Sequence, residues 1–567
     1  MSNAFDVIVV GPGARGMTSA VTAAQAGLKV LALEKADVIG GTSALSGGVA
    51  WIPCNPLMQA SATPDKRENA ELYIREITGD RFRKDMVATY LDNGPRMVEF
   101  LLAKTAVRFQ TIAFCDYKPE LDGAVSMGRS IGATTFDGRL LGKDIRLLRK
   151  PLDFTTVFGG MMLKFMDIYH MLNALKTRAS AIHAAKLLIN FLFERLRYGR
   201  PMRLALGNAL MGMLLRSAID NKVEIWTRSP GKSLIREGKR VVGIVAERDG
   251  RPVEVRARLG IVLGSGGFAN DPELRAKHLS YPAQMKTMSV AESTGDAMRM
   301  GLSAGAAVSD DVFNKALGFP ISTHKHPDGR VENYMHVGSM GRNKPGTICV
   351  GPNAKRFVNE AAPYNDFGQA LIDAEAVPAW WIFDDAHFRR YGAGLLTPPV
   401  WLHSIQPYLD SGYLTRAASL DELAKKINLP ADQLRLTVDR WNDQSRRGVD
   451  EDFGKGNSLY DRSSGEPTNK PHPNLGPLEK APFYAIRVDP GNLGTWVGLK
   501  TNTTANVVNE EGEPIEGLYA CGLDSYHVFS GNYPGGGSSI GPSMVFGYIA
   551  AQQMLAHSRA NSSPRSI

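Results

Sequence analysis

Cysteine is scarce: the 567 residues carry four, at Cys54, Cys115, Cys349 and Cys521. None forms a CxxC pair, which excludes a zinc ribbon and a thioredoxin motif, and the density is too low for a disulfide framework. No metal site is expected. Long apolar runs are missing too. No stretch reaches the roughly 18 residues that span a bilayer. The strand-like segment Phe5 to Val10 opens the chain with no basic n-region or apolar h-region ahead of it. The expectation is a cytoplasmic protein without a spanning helix. Gly and Pro, at 58 and 32 residues, stay below the low-complexity range, and 43% apolar with 22% charged residues is ordinary for a folded chain. Disorder, collagen and coiled coil are therefore excluded as the whole organisation. Acid is scarce in one place. Between Met161 and Arg216 stand nine basic residues (Lys164, Lys176, Arg178, Lys186, Arg195, Arg197, Arg200, Arg203 and Arg216), opposed only by Asp167 and Glu194. The rest of the net charge of +9 is nearly balanced, and no nucleic-acid module is present, so nucleic acid is not an expected partner.

What is present starts at the first residues. Val7 to Val10 reads as a strand buried on both faces. Gly11-Pro12-Gly13-Ala14-Arg15-Gly16 follows as a GxGxxG, then a helix-compatible run to Ala26, with Gly27 suited to the C′ position. Val30 to Leu33 reads as a second strand, and Glu34 ends it eighteen residues beyond Gly16. This is a βαβ dinucleotide fingerprint. The glycines allow a tight turn and close approach to a pyrophosphate, the helix N-terminus supplies N–H donors, and the acid accepts from ribose hydroxyls. Gly40-Gly41-Thr42-Ser43 and Ser46-Gly47-Gly48 come soon after, which favours the longer FAD over NAD.

Downstream, Val223–Trp226, Ser233–Arg236, Val241–Arg248, Val253–Arg256 and Ile261–Leu263 read as short strands, with a hairpin turn at Asp249-Gly250. Gly264-Ser265-Gly266-Gly267 closes them. Residues 311 to 480 change character, with Pro, aromatics and a helical segment from Ser419 to Arg447. Strands return at Phe483, and Met544 to Met554 reads as a last helix. The expected fold is α/β: a Rossmann-type FAD-binding domain from residues 1–310 and 481–567, carrying a basic helical insertion at about 153–216. An α+β substrate domain, 311–480, is inserted between them. Ligand would sit at the carboxyl ends of the parallel strands.

Several segments resemble the FAD-dependent 3-ketosteroid Δ1-dehydrogenases, within the succinate dehydrogenase/fumarate reductase flavoprotein group. They are GPGARGM with Glu34, GGTSALSGGVAWIP (Gly40–Pro53), DYKPELDGAVSMGRS (Asp116–Ser130), RFVNEAAPYNDFG (Arg356–Gly368), PFYAIRVDPGNLGT (Pro482–Thr495), EGLYACG (Glu516–Gly522) and NYPGGGSSIGPSMVFGYIAA (Asn532–Ala551). The resemblance implies removal of two hydrogens from a steroid A-ring at C1–C2, with flavin N5 taking the C1 hydride. It makes Tyr364 the base at C2 and Tyr117 its assistant. Tyr533 and the Gly537 backbone N–H then polarise the C3 carbonyl. It implies cofactor contacts from Gly11, Gly13, Ala14, Gly16, Glu34, Lys35, Gly41, Thr42, Ser43, Ser46, Gly47, Gly48, Gly266, Gly522, Ser538 and Ile540. Arg129, Asn359 and Glu360 are expected to be structural.

The chain departs from that pattern at Trp496-Val497, where a Gly pair is usual, and at Leu523-Asp524. These bulkier residues keep two alternatives open: Δ4-(5α)-ketosteroid dehydrogenation, and desaturation of another cyclic ketone. A non-catalytic, lipid-binding flavoprotein is the third. The run Leu187 to Phe193 beside Arg195, Arg197 and Arg200 reads as a peripheral membrane patch within 161–216, apolar side chains entering the interface and basic ones meeting anionic headgroups. That would place the protein on the inner face of the membrane, where a quinone could serve as electron acceptor.

Overall fold

Val7–Val10, Val30–Leu33, Ile261–Leu263 and Leu518–Ala520 carry no charged side chain, and all lie side by side in one sheet, buried on both faces. The computed structural model describes residues 4–174, 177–281, 285–338, 341–398, 400 and 404–562. Lys176 of the basic stretch lies outside them. Strands Ala4–Val10, Val30–Leu33, Glu224–Trp226, Pro514–Ala520 and the second half of Arg251–Leu263 run parallel. Gly231–Glu237, Arg240–Arg248 and the first half of Arg251–Leu263 extend the same sheet as an antiparallel meander. Asp249 and Gly250 make the expected two-residue turn, both at positive φ (51° and 75°). The sequence splits Val253–Arg256 from Ile261–Leu263, but one strand of 13 residues contains both. It passes from meander to parallel sheet where its pairing register shifts, between Ala257 and Gly260. Helix Ala14–Gln25 returns over this sheet and packs on the last helix, Ile540–Ser562.

The second sheet is built around Phe483–Thr495. This strand pairs with Ala379–Asp384 on one side; on the other it pairs with Leu414–Ala417 through its first residues and with Ala316–Lys325 through its last. Val331–Met335 and Thr347–Val350 complete the edges. Helices Leu420–Lys426 and Ala431–Arg447 bury Leu423, Leu434, Val438 and Trp441 against it. Phe483–Thr495 lies beyond residue 480 and still pairs with this inserted sheet. The chain rejoins the first sheet at Asn506–Val508, which pairs with Pro514–Ala520. An apolar strand carries no local mark of which sheet it joins.

The basic stretch forms helices Phe165–Leu172, Arg178–Tyr198 and Leu206–Asp220. The last of these is core: Leu210, Met211, Met213, Leu214 and Leu215 are buried. The surface part of the insertion therefore ends near Arg203. Among the described residues, no helix is long and apolar enough to cross a membrane.

Candidate active site

A groove of about 670 Å³ opens at the carboxyl ends of the parallel strands. Of the expected cofactor residues, Gly11, Gly13, Glu34, Lys35, Gly41, Thr42, Ser43 and Gly266 line it. Gly11 sits at φ +85°, and a Cβ there would meet the Gly264 carbonyl oxygen at 2.4 Å. Gly16 is behind the groove. Its absent side chain lets the helix start against the turn, since a Cβ would lie 2.3 Å from the Gly11 oxygen. Ala14 is likewise buried behind the wall, with its N–H donating to Ser43 Oγ at 3.2 Å. Ser46, Gly47 and Gly48 lead out of the groove into strand Val49–Trp51. Gly522 packs on Arg15, while Ser538 and Ile540 belong to the loop and helix start after Tyr533.

Glu34 is buried, and its Oε1 accepts from the Ala36 N–H at 2.8 Å. Burial lifts its carboxyl to about 7, against the pull of that N–H and of Arg149. Lys35 is committed to Asp296 at 2.9 Å and to Thr294. Arg149 and Glu292, which no local motif marks, also line the groove and pair at 3.0 Å. Arg149 arrives there because Leu148 bridges to Ile39. Its Nε is buried with no partner within the protein, a donor left over for an anionic ligand. A glycine cradle, a buried ribose-type acid and an orphaned guanidinium donor together fit a dinucleotide such as FAD. A pH dependence follows for the apoprotein. Ribose hydroxyls favour the ionised acid, so FAD affinity is expected to fall below pH 7, by up to roughly tenfold per pH unit for one linked proton. Glu34→Gln should flatten that slope in a flavin-fluorescence titration.

Farther along, three tyrosines from distant parts of the chain meet. Tyr117 follows the buried Asp116, Tyr364 is the first residue of helix Tyr364–Asp373, and Tyr533 stands on the glycine-rich loop before the last helix. Ring centroids are 5.7 Å apart for Tyr117–Tyr364, 5.7 Å for Tyr117–Tyr533 and 5.3 Å for Tyr364–Tyr533. The Tyr364 hydroxyl lies against those of Tyr117 and Tyr533, and the Tyr533 hydroxyl lies against the backbone N–H groups of Gly537 and Ser539. Burial pushes all three phenols up, Tyr117 and Tyr364 far above 10, and neighbouring phenol charges add to it for those two. The resting cluster is neutral.

Gly537 is held at φ +99° over strand Val49–Trp51, where a Cβ would meet Val49 O at 2.6 Å and Trp51 N at 2.7 Å. Phe319 stacks on Tyr364 at 4.0 Å and Tyr460 packs on Tyr117 at 4.8 Å. Neither is marked by a motif; both come from the inserted sheet and its linker. Trp496 stacks on His527 at 3.8 Å and stands 6.4 Å from Tyr533, while Val497 packs into the core.

The loop bearing Tyr117 has a buried anchor. Arg129 is 1% exposed. It donates to both oxygens of Asp65 (2.8 and 2.9 Å) and to Asp116 at 2.8 Å. Asp116 also accepts from Trp51 Nε1 at 2.8 Å. The Tyr117 N–H donates to Pro534 O at 2.8 Å, and the Tyr73 hydroxyl donates to the same oxygen at 2.8 Å. The chain segments of Tyr117 and Tyr533 are thereby tied together. Arg129→Met would leave two buried carboxylates without their cation. A loss of about 3–5 kcal/mol is expected, measured by urea unfolding of the holoprotein. Glu360, fully buried, plays the same part near Tyr364, taking two bonds from Arg356 at 2.8 Å each, and Asn359 donates to Asp461 at 2.9 Å.

Residues 6–540 match the model of the FAD binding domain family. The chain belongs to this flavoprotein family. Its cofactor is FAD. The flavoprotein is 38% identical to 4-oxocyclohex-2-ene-1-carboxylate 5-dehydrogenase of Sinomonas cyclohexanicum, over 98% of its own length and 95% of that chain. It is 36% identical to 3-oxosteroid 1-dehydrogenase of Mycolicibacterium smegmatis, over 98% of both chains. Among solved structures, it is similar to the 3-ketosteroid Δ1-dehydrogenase of Sterolibacterium denitrificans in complex with 1,4-androstadiene-3,17-dione. The TM-score is 0.91 and the identity 35%, covering 98% of this chain and 100% of that one. The fold expected from the sequence, a flavin domain with an inserted α+β unit, is the one these relatives support.

Proposed function

We propose that this flavoprotein desaturates a 3-ketosteroid between C1 and C2. The observation that carries the reading is the meeting of Tyr117, Tyr364 and Tyr533 with the Gly537 N–H at one point. A ketone oxygen placed between the Tyr533 hydroxyl and the Gly537 N–H accepts from both, and these donors stabilise the enolate charge that develops. With that charge held, the proton on C2 becomes acidic. Ahead of that step the Tyr364 hydroxyl proton passes to the Tyr117 oxygen as Tyr117 releases its own to solvent, and the Tyr364 phenolate oxygen then takes the C2 proton. Phe319 and Tyr460 pack on the Tyr364 and Tyr117 rings and hold them in place. FAD, when bound, supplies the acceptor for the hydride that leaves C1. The groove residues from Gly11 to Gly266 hold its dinucleotide part, and Glu34 its ribose. Turnover with androst-4-ene-3,17-dione and an artificial acceptor, followed by NMR of the product, tests the reading. A C1–C2 alkene supports it, and a double bond elsewhere overturns it.

The 38% identity to a cyclohexenecarboxylate dehydrogenase favours a second substrate for the same chemistry. Both relatives' names describe loss of hydrogen beside a ring ketone. The ratio of kcat/KM for the steroid and for 4-oxocyclohex-2-ene-1-carboxylate separates the two.

We further propose that strand Phe483–Thr495 belongs with the substrate domain, whose remaining bounds follow 311–480, and that helix Arg178–Tyr198 rests on an anionic membrane. Ile182, Ile189, Leu192, Phe193 and Leu196 are 56% to 88% exposed. At 100° per residue they share one face, bordered by Lys186 and Arg197. The protein should co-sediment with phosphatidylglycerol vesicles, less so at high salt. Replacing Phe193 and Leu196 by Asp should abolish this without changing turnover of a soluble substrate.

A further inference from the structure

Strand Ala316–Lys325, which carries Phe319 under Tyr364, ends in a cluster that the reaction does not use. His324 and Glu332 are Cα partners across the hairpin to Val331–Met335, and His326 follows two residues after His324 on the same face. One ligand atom from each of the three lies within 4.8 Å of the others, and among the described residues no other such group of three is present. Two imidazole nitrogens and a carboxylate oxygen form a donor set for zinc and neighbouring divalent ions.

A second observation is independent of that spacing. His324 is 2% exposed, and neither of its ring nitrogens has a hydrogen-bond partner within the protein. Buried imidazoles ordinarily have one. The rings of Tyr408 and Tyr413 wall this histidine at 4.8 and 5.5 Å. His326 Nε2 already stands 2.9 Å from Glu332 Oε2, so two of the three donors touch.

We propose that His324, His326 and Glu332 bind a divalent transition ion, zinc by their donor set, with water in the remaining position. Ligand atoms around a tetrahedral zinc are roughly 3.3–3.6 Å apart. The cluster closes to that size by rotation of the His326 and Glu332 side chains, which are 19% and 20% exposed. The ion clips the turn end of the hairpin and leaves the chemistry at Tyr364 unchanged. Arg330 opposes it. Its guanidinium approaches His326 Nδ1 at 3.4 Å and also pairs with Asp153 at 3.7 Å. It is a cation that the ion must push toward solvent.

The test uses tag-free holoprotein, dialysed against a chelator, desalted and titrated with Zn²⁺ under metal analysis and thermal melting. One zinc per chain is expected, with a melting temperature that rises with zinc concentration. His324→Asn should weaken binding by roughly 100-fold or more, at the upper end of what even a lost supporting contact costs. Glu332→Gln should do likewise at a partly exposed position. Arg330→Ala should tighten it. Co²⁺ in place of zinc should give visible d–d absorption that the His326→Gln variant lacks. The proposal is overturned if the folded, FAD-containing wild type takes up no zinc. Equal uptake by the wild type and by the Glu332→Gln and His324→Asn variants would overturn it too.

Discussion

Tyr364→Phe is expected to lower kcat by roughly 10²–10⁴-fold, the usual worth of a positioned acid or base, while FAD content and melting temperature stay near wild type. The ring itself remains, so stacking on Phe319 at 4.0 Å survives. Only the oxygen proposed to receive the C2 proton is lost. A companion pH effect follows from the environment of this phenol. Burial, then the neighbouring phenol charges, raise Tyr364 far above 10. A base with a raised pKa is protonated below it, so kcat/KM should climb from pH 7 toward pH 10 without levelling. Tyr117→Phe should flatten the climb, because the proton relay is cut while the carbonyl donors are intact. Unchanged kcat in Tyr364→Phe would remove this residue from the chemistry.

Gly537→Ala is the second large effect. The position is at φ +99°, and the added methyl would stand 2.6 Å from Val49 O. The loop has to lift off strand Val49–Trp51, which misaligns the N–H proposed to share the ketone oxygen with Tyr533. Losing one such donor costs roughly 10²–10³ in kcat. Steady-state kinetics beside a circular dichroism melt separates this from unfolding. The loop is tied independently at Pro534, by Tyr73 and the Tyr117 N–H, and at Gly536 by Ser130 Oγ at 2.8 Å. The variant should therefore fold. Tyr533→Phe should lose activity to a similar extent, and the double variant less than the product of the two, since in the proposed site both donors serve one oxygen.

The βαβ unit was legible from residues 5 to 34 alone because its glycines and its acid are spaced by the cofactor's own dimensions. The meander was legible through Asp249-Gly250, a turn with few alternatives. Phe483–Thr495 was harder to place, since buried apolar strands look alike whichever sheet they join. The three tyrosines could be picked out only through the segments around them. Composition says nothing about whether Tyr117, Tyr364 and Tyr533 touch, as these positions are brought together by two sheets and a loop. Arg149, Phe319 and Tyr460 escaped notice for the same reason: each reaches its site by tertiary packing, with no spacing to announce it. The basic stretch, 161–216, reads as several helices, and Phe165–Leu172 and Arg178–Tyr198 lie within it. It also swept in Leu206–Asp220, whose Leu and Met residues are core.

The measurement that bears most directly on the account is anaerobic mixing of the purified holoprotein with androst-4-ene-3,17-dione while the flavin absorbance is followed. The account predicts bleaching in the wild type, with the 1,4-diene formed in equal amount, and roughly 10²–10⁴-fold slower bleaching in Tyr364→Phe. An absorbance that stays unchanged with FAD bound, or equal rates in the two proteins, would contradict it.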